Sequence, residues 1–126
     1  MIVTFTIPGR LPGLNELIAA INRHRHVGAT LKKSTTELCA MYVVAGRVPK
    51  FSGAVSVKFE WIEPDRRRDL DNISAGAKFI LDAMVETGRL QNDTRKCVQA
   101  IVHRFPEPDP KNPRVEVTVW QDGAAA

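Results

Sequence analysis

No apolar run in these 126 residues approaches the roughly 20 that a bilayer-spanning helix needs. The opening Met-Ile-Val-Thr-Phe-Thr-Ile-Pro has neither the basic region nor the long apolar stretch of a signal peptide. A cytoplasmic location is therefore expected. Cysteine is scarce. Cys39 and Cys97 lie far apart, fit no Cys-x-x-Cys or Cys/His spacing, and read as reduced, packed thiols. His24 and His26 sit in a basic stretch and His103 stands alone, which excludes a zinc-finger pattern. There are no internal repeats and no nucleotide-binding Gly-rich motif. A Gly-Ala-Ala-Ala tail over 123–126 reads as frayed, after a single domain spanning 1–122.

What is present is ordinary for a folded domain: 44% apolar and 25% charged residues. The charge is unevenly placed. Residues 1–58 hold eight Lys/Arg against only Glu16 and Glu37, a balance of +6, while 59–126 hold ten Lys/Arg against twelve acids, a balance of −2. A basic half beside an acidic cluster suits a protein that grips a polyanion and keeps a divalent cation, although a plain solvated surface has the same look.

Residues 2–7 alternate apolar and Thr positions and predict a half-buried strand. A Pro-Gly loop follows, then a short helix over 14–21, a basic loop over 23–28, and a helix over 33–45 in which Leu38, Met41, Tyr42 and Ala45 recur at helical spacing, with Ser34 or Thr35 as its cap. Gly46 and Pro49 are expected to end that helix. Val55, Val57, Phe59 and Trp61 alternate with polar residues in the clearest strand signal of the chain. A long helix from 69 or 70 to 86 carries Leu70, Ile73, Ala77, Ile80, Leu81 and Met84 as one apolar stripe, with Gly88 as its stop. Strands over 97–105 and 115–120 complete an α+β domain with a mixed sheet and two or three helices.

The densest chemistry is Arg66-Arg67-Arg68-Asp69-Leu70-Asp71-Asn72. Within a regular helix, positions two apart diverge by about 200°, but where an extended segment becomes a helix both carboxylates can aim at one point. A hard cation such as Mg²⁺ takes such oxygens. The competing reading is local: Asp69 also suits a helix N-cap and Asp71 the first turn, where the helix dipole favours an acid. The adjoining guanidinium forks suit phosphates, or simply water. Asp93, in the turn after the helix, is a third candidate ligand, or a residue placed by its turn preference. Lys78 lies seven residues after Asp71, on the same face of one continuous helix about 10 Å along its axis, as a phosphate-facing ammonium or an ordinary exposed lysine.

Arg-Arg-Arg-Asp-Leu-Asp-Asn, then Lys78 with Phe-Ile-Leu-Asp-Ala over 79–83, then Gly88 and Asn92-Asp93, resembles the RusA family of Holliday junction resolvases. The strand ending in Pro8 and the loop Pro12-Gly13-Leu14-Asn15 are similar too, so the likeness runs along nearly the whole chain. It implies a dimeric α+β hydrolase of DNA recombination and repair that nicks four-way junctions with Mg²⁺ or Mn²⁺. The metal-binding carboxylates would be Asp69, Asp71 and Asp93, with Arg68 and Lys78 as the functional cations. Two departures stand out: Asn92-Asp93 replaces the family's frequent Asp-Asp, and Ala75 sits where some members carry their lysine. Arg10, Arg23, Arg25, Lys32 and Lys33, with Arg66 and Arg67, are the candidate DNA-facing residues. The alternative is a non-catalytic, structure-selective DNA-binding module.

Overall fold

The computed structural model describes residues 1–121; Asp122 and the expected tail over 123–126 lie outside the described residues. The elements run β1 (Ile2–Pro8), α1 (Leu14–Arg23), α2 (Arg25–Ala45), β2 (Val55–Ile62), α3 (Leu70–Ser74), α4 (Ala77–Glu86), β3 (Val98–Arg104) and β4 (Arg114–Gln121). Three are helices of ten residues or more, and α3 is a five-residue turn of helix. The four strands form one mixed sheet in the order β1-β4-β2-β3. β4 lies antiparallel to both β1 and β2, while β2 and β3 run parallel and are joined across α3 and α4. This is the single α+β domain that the strand periodicities predict.

Alternation sorts the sheet into two faces. Phe5, Ile7, Val55, Val57, Phe59, Val115, Val117 and Val119 share one face and are buried against Cys39 and Val43 of α2 and Phe79, Ile80 and Met84 of α4. Burying each such large side chain contributes about 1.5–3 kcal/mol. The opposite face carries the exposed or half-exposed Thr4, Lys58, Glu60 and Glu116 together with the buried Ser56 and Thr118. No described helix is long and apolar enough to cross a membrane.

Three expectations need correction. The basic segment 23–28 is not a loop: only His24 is extended, and its Nδ1 accepts the His26 N–H at 3.1 Å to cap α2. α2 therefore starts eight residues before the expected 33, and Ser34 and Thr35 are interior to it. Gly28 permits the tight return, since a Cβ there would lie 3.1 Å from the Ile21 Cα. α2 also buries a different face from the one its large apolar residues suggest: Thr35, Thr36, Cys39 and Val43 face inward, leaving Leu38 and Met41 exposed. At its end the left-handed residue is Arg47, with φ 55°, and Gly46 is instead needed where the chain passes Phe5.

The third correction bears on the site. The long helix expected to 86 is two helices, α3 and α4, separated at Ala75-Gly76. Gly76 sits on the Trp61 indole, where a Cβ would meet ring carbons at 3.2 Å. Trp61 is in turn fixed by donating its Nε1–H to His103 Nδ1 at 2.9 Å. Leu70, the first residue of the expected stripe, is exposed, because α3 no longer shares the axis of α4.

Candidate active site

β2 delivers Glu63 to the edge of the core, and the chain then turns through Asp65, whose carboxylate accepts the Arg67 N–H at 3.0 Å. This turn points Arg68 inward. Its Nε and Nη2 donate to the two oxygens of Glu63 at 2.9 and 2.8 Å, a planar fork on a carboxylate. Its Nη1 donates to the Leu11 carbonyl at 3.1 Å and lies 3.5 Å from Glu16. Only 10% of either side chain of the Arg68–Glu63 pair is exposed. Arg68 is thus a structural tie between the end of β2, the loop before α1 and the first turn of α1. The outward, phosphate-facing placement expected for it is corrected: all three of its nitrogens are engaged within the chain.

Asn72 makes the second tie. Its Oδ1 accepts the Asn15 N–H at 2.9 Å, so the Pro-Gly-Leu-Asn loop is docked on the Asp-Leu-Asp-Asn turn. Gly13 lies between them. A Cβ at this position would fall inside contact distance of Asn72 Oδ1 and 2.9 Å from Arg68 Nη1.

With Arg68 and Asn72 holding the turn from both ends, Asp69 and Asp71 project to solvent. Asp69 occupies the N-cap position of α3 with extended backbone, φ −68° and ψ 154°, yet its side chain caps nothing. Asp71 lies in the first turn. Neither carboxylate has a hydrogen-bonding or ion-pairing partner among the described residues. The capping role that competed with ion binding is therefore not the one Asp69 plays.

Asp93 is elsewhere engaged. Lys78, on α4, donates its Nζ to Asp93 Oδ2 at 2.9 Å and lies 3.0 Å from Asp82, one turn further along the same helix. Hydrogen bonding to Lys78 holds the Asp93 carboxyl below its ordinary range, and the two carboxylates raise the lysine's pKa. Two of the expected site residues, Lys78 and Asp93, are thus brought together. Among the described residues, however, no three His, Cys, Asp or Glu side chains form a group able to hold a metal ion. Asp69, Asp71 and Asp93 supply hard oxygen donors suited to Mg²⁺, but in this arrangement they do not fit as a preformed three-carboxylate cage.

Arg10, Arg23, Arg25, Lys32 and Lys33 are all exposed, and none forms an ion pair among the described residues. Arg66 and Arg67 are exposed as well, paired with Glu107 and Asp65. Cys39 and Cys97 are free thiols, and burial raises the Cys39 thiol to about 12, which makes it inert packing. Sequence reasoning gave no role of its own to Glu63, Asn15 or Asp82, although Asn15 and Asp82 stand within the motifs that carry the resemblance. Asp82 also left a spacing signal, four residues from Lys78 on a helix. No protein-family model matches the chain, and no curated protein matches it.

Proposed function

We propose that this chain is a metal-dependent endodeoxyribonuclease of the RusA type that resolves four-way DNA junctions as a cytoplasmic homodimer. One observation carries the reading: Asp69 and Asp71 are exposed carboxylates without partners among the described residues, on a turn that Arg68 and Asn72 lock in place. A helix start built only for stability would use Asp69 as its cap, for about 1 kcal/mol. Leaving it free makes sense if the carboxylate serves something outside the chain. The five cations at 10, 23, 25, 32 and 33, exposed and without an ion pair among the described residues, supply the phosphate grip. Branch selectivity then arises from two such basic surfaces across a two-fold axis.

The cofactor of this reading is Mg²⁺, or Mn²⁺ in its place. The chain's own share is to bind phosphates through its free cations and to present Asp69 and Asp71 at a fixed spacing. A non-catalytic DNA-binding module is favoured by one contrary observation, the lack of a three-acid group among the described residues.

The test is incubation with a synthetic four-way junction and with linear duplex, in Mg²⁺ and in EDTA. Paired nicking of the junction in Mg²⁺ alone is the expected result. Asp71→Asn should retain junction binding and cut slower by roughly 100-fold or more. Tight junction binding with no cleavage in Mg²⁺ or Mn²⁺ would establish the binding module instead.

A further inference from the structure

We infer that the outward face of α2 is the contact between two copies of this chain, packed antiparallel across a two-fold axis. The inference deepens the proposed reading, from which it takes the homodimer and not the chemistry. α2 turns Thr35, Thr36, Cys39 and Val43 to the core, while Val27, Leu31, Ser34, Leu38, Met41 and Ala45 line the side away from it. All six are exposed except Leu31, which is half-buried, and Met41 is 65% exposed. A single exposed Leu or Met is ordinary, but a continuous apolar stripe marks a contact. Its steps are four, three, four, three and four residues, the seam by which one helix packs along another.

That order of steps is the same from either end. Turning a second copy end for end about the level of Thr36 therefore lays stripe on stripe. Val27 then meets the partner's Ala45, Leu31 the partner's Met41, and Leu38 the partner's Ser34. In two of these three layers a large side chain fills the space left by a small one. The Ser34 hydroxyl already donates to the Leu31 carbonyl at 3.3 Å, so it can be covered without losing a partner. Shallow apolar depressions mark both ends of the stripe, one at Val27 and Leu31 beside His26, the other at Met41 and Ala45 beside Glu37 and Glu86. Antiparallel packing brings the acidic end of each copy to the basic end of the other, where Arg25 and His26 begin α2. α2 has 21 residues and is roughly 30 Å long. Covering a stripe of that length on both copies removes on the order of 1,000 Å², the lower bound for a specific interface. The dimer is therefore expected to form at micromolar concentration.

The experiment is sedimentation velocity over a micromolar concentration series, without DNA, on the full chain, Met41→Glu, Leu31→Lys and an equal mixture of the two variants. Each protein is first shown to be folded by its thermal melt. The wild type should pass from monomer to dimer across the series. Each variant alone should dimerise roughly tenfold or more weakly, because two unpaired charges are buried at the seam. The mixture should associate roughly fivefold or more tightly than either variant alone, since the introduced carboxylate and ammonium meet in one layer and the native pair survives in the other. A wild type that stays monomeric overturns the inference and the homodimer of the proposed reading, while junction cleavage still decides the chemistry. A dimer that neither variant weakens overturns this face and assigns the homodimer to another surface. Weakened variants that fail to rescue each other overturn the antiparallel packing.

Discussion

Two cation–carboxylate groups lie close in sequence and differ in everything but charge. Arg68 and Glu63 are sealed, each side chain 10% exposed, with the guanidinium also bound to the Leu11 carbonyl. Lys78, Asp82 and Asp93 lie in water, the lysine 65% exposed. In the sealed group, desolvated charges leave only one acceptable geometry, and removing one partner strands the other. The exposed group gains little from its pairing, since water and salt replace each partner at small cost. The sealed pair is suited to positioning other residues, and the exposed one to exchange. That division assigns Arg68 to the scaffold, while Asp69 and Asp71 shortly after it stay exposed and without a side-chain partner among the described residues.

Four measurements separate the sealed group from the exposed one. The largest effect belongs to Arg68→Ala, which should lower the unfolding free energy by about 3–5 kcal/mol in urea titration, because Glu63 is left buried and unpaired; a loss under about 1 kcal/mol would place Arg68 with the exposed group. Gly13→Ala comes next, at about 1–3 kcal/mol, since the new Cβ must push apart Asn72 and Arg68. A full-strength stability at this variant would mean the two ties are slack.

A pH-dependent effect follows from His103, whose pKa burial lowers from the ordinary 6.5. The unfolded chain then takes up the proton more readily than the folded one. The stability contributed by the neutral ring is complete above 6.5 and is lost as the pH falls through the lower folded value. His103→Gln, which keeps an acceptor for Trp61, should flatten stability against pH below neutrality; an unchanged slope would assign it to other groups. The smallest effect is that of Lys78→Ala, a stability change within about 1 kcal/mol that shrinks further in salt. A loss of several kcal/mol in thermal melts would show that the exposed group is structural after all.

The strands were legible because their signal is local. Val55, Val57, Phe59 and Trp61 alternate with polar neighbours, and a period of two needs no knowledge of the partner strand. α4 and its stop at Gly88, φ +74°, were legible for the same reason. The break at Gly76 was not, because its cause is the Trp61 ring, which lies on a strand fifteen residues earlier. Leu38 and Met41 marked a helix correctly but not its buried side. That side is chosen by what α4 and the sheet present to α2, and they face Thr35, Cys39 and Val43.

Residue order by itself determined the α+β class, the position of the acidic motif at a strand-to-helix junction, and the uneven placement of charge, all of which follow from near-neighbour chemistry. Tertiary structure alone decided that Arg68 turns inward, that Asp69 caps nothing, and that Asp93 meets Lys78 rather than its fellow acids. The places of Arg68 and Asp93 depend on which distant group meets their charge, a question of proximity in space, and Asp69 is left with none among the described residues.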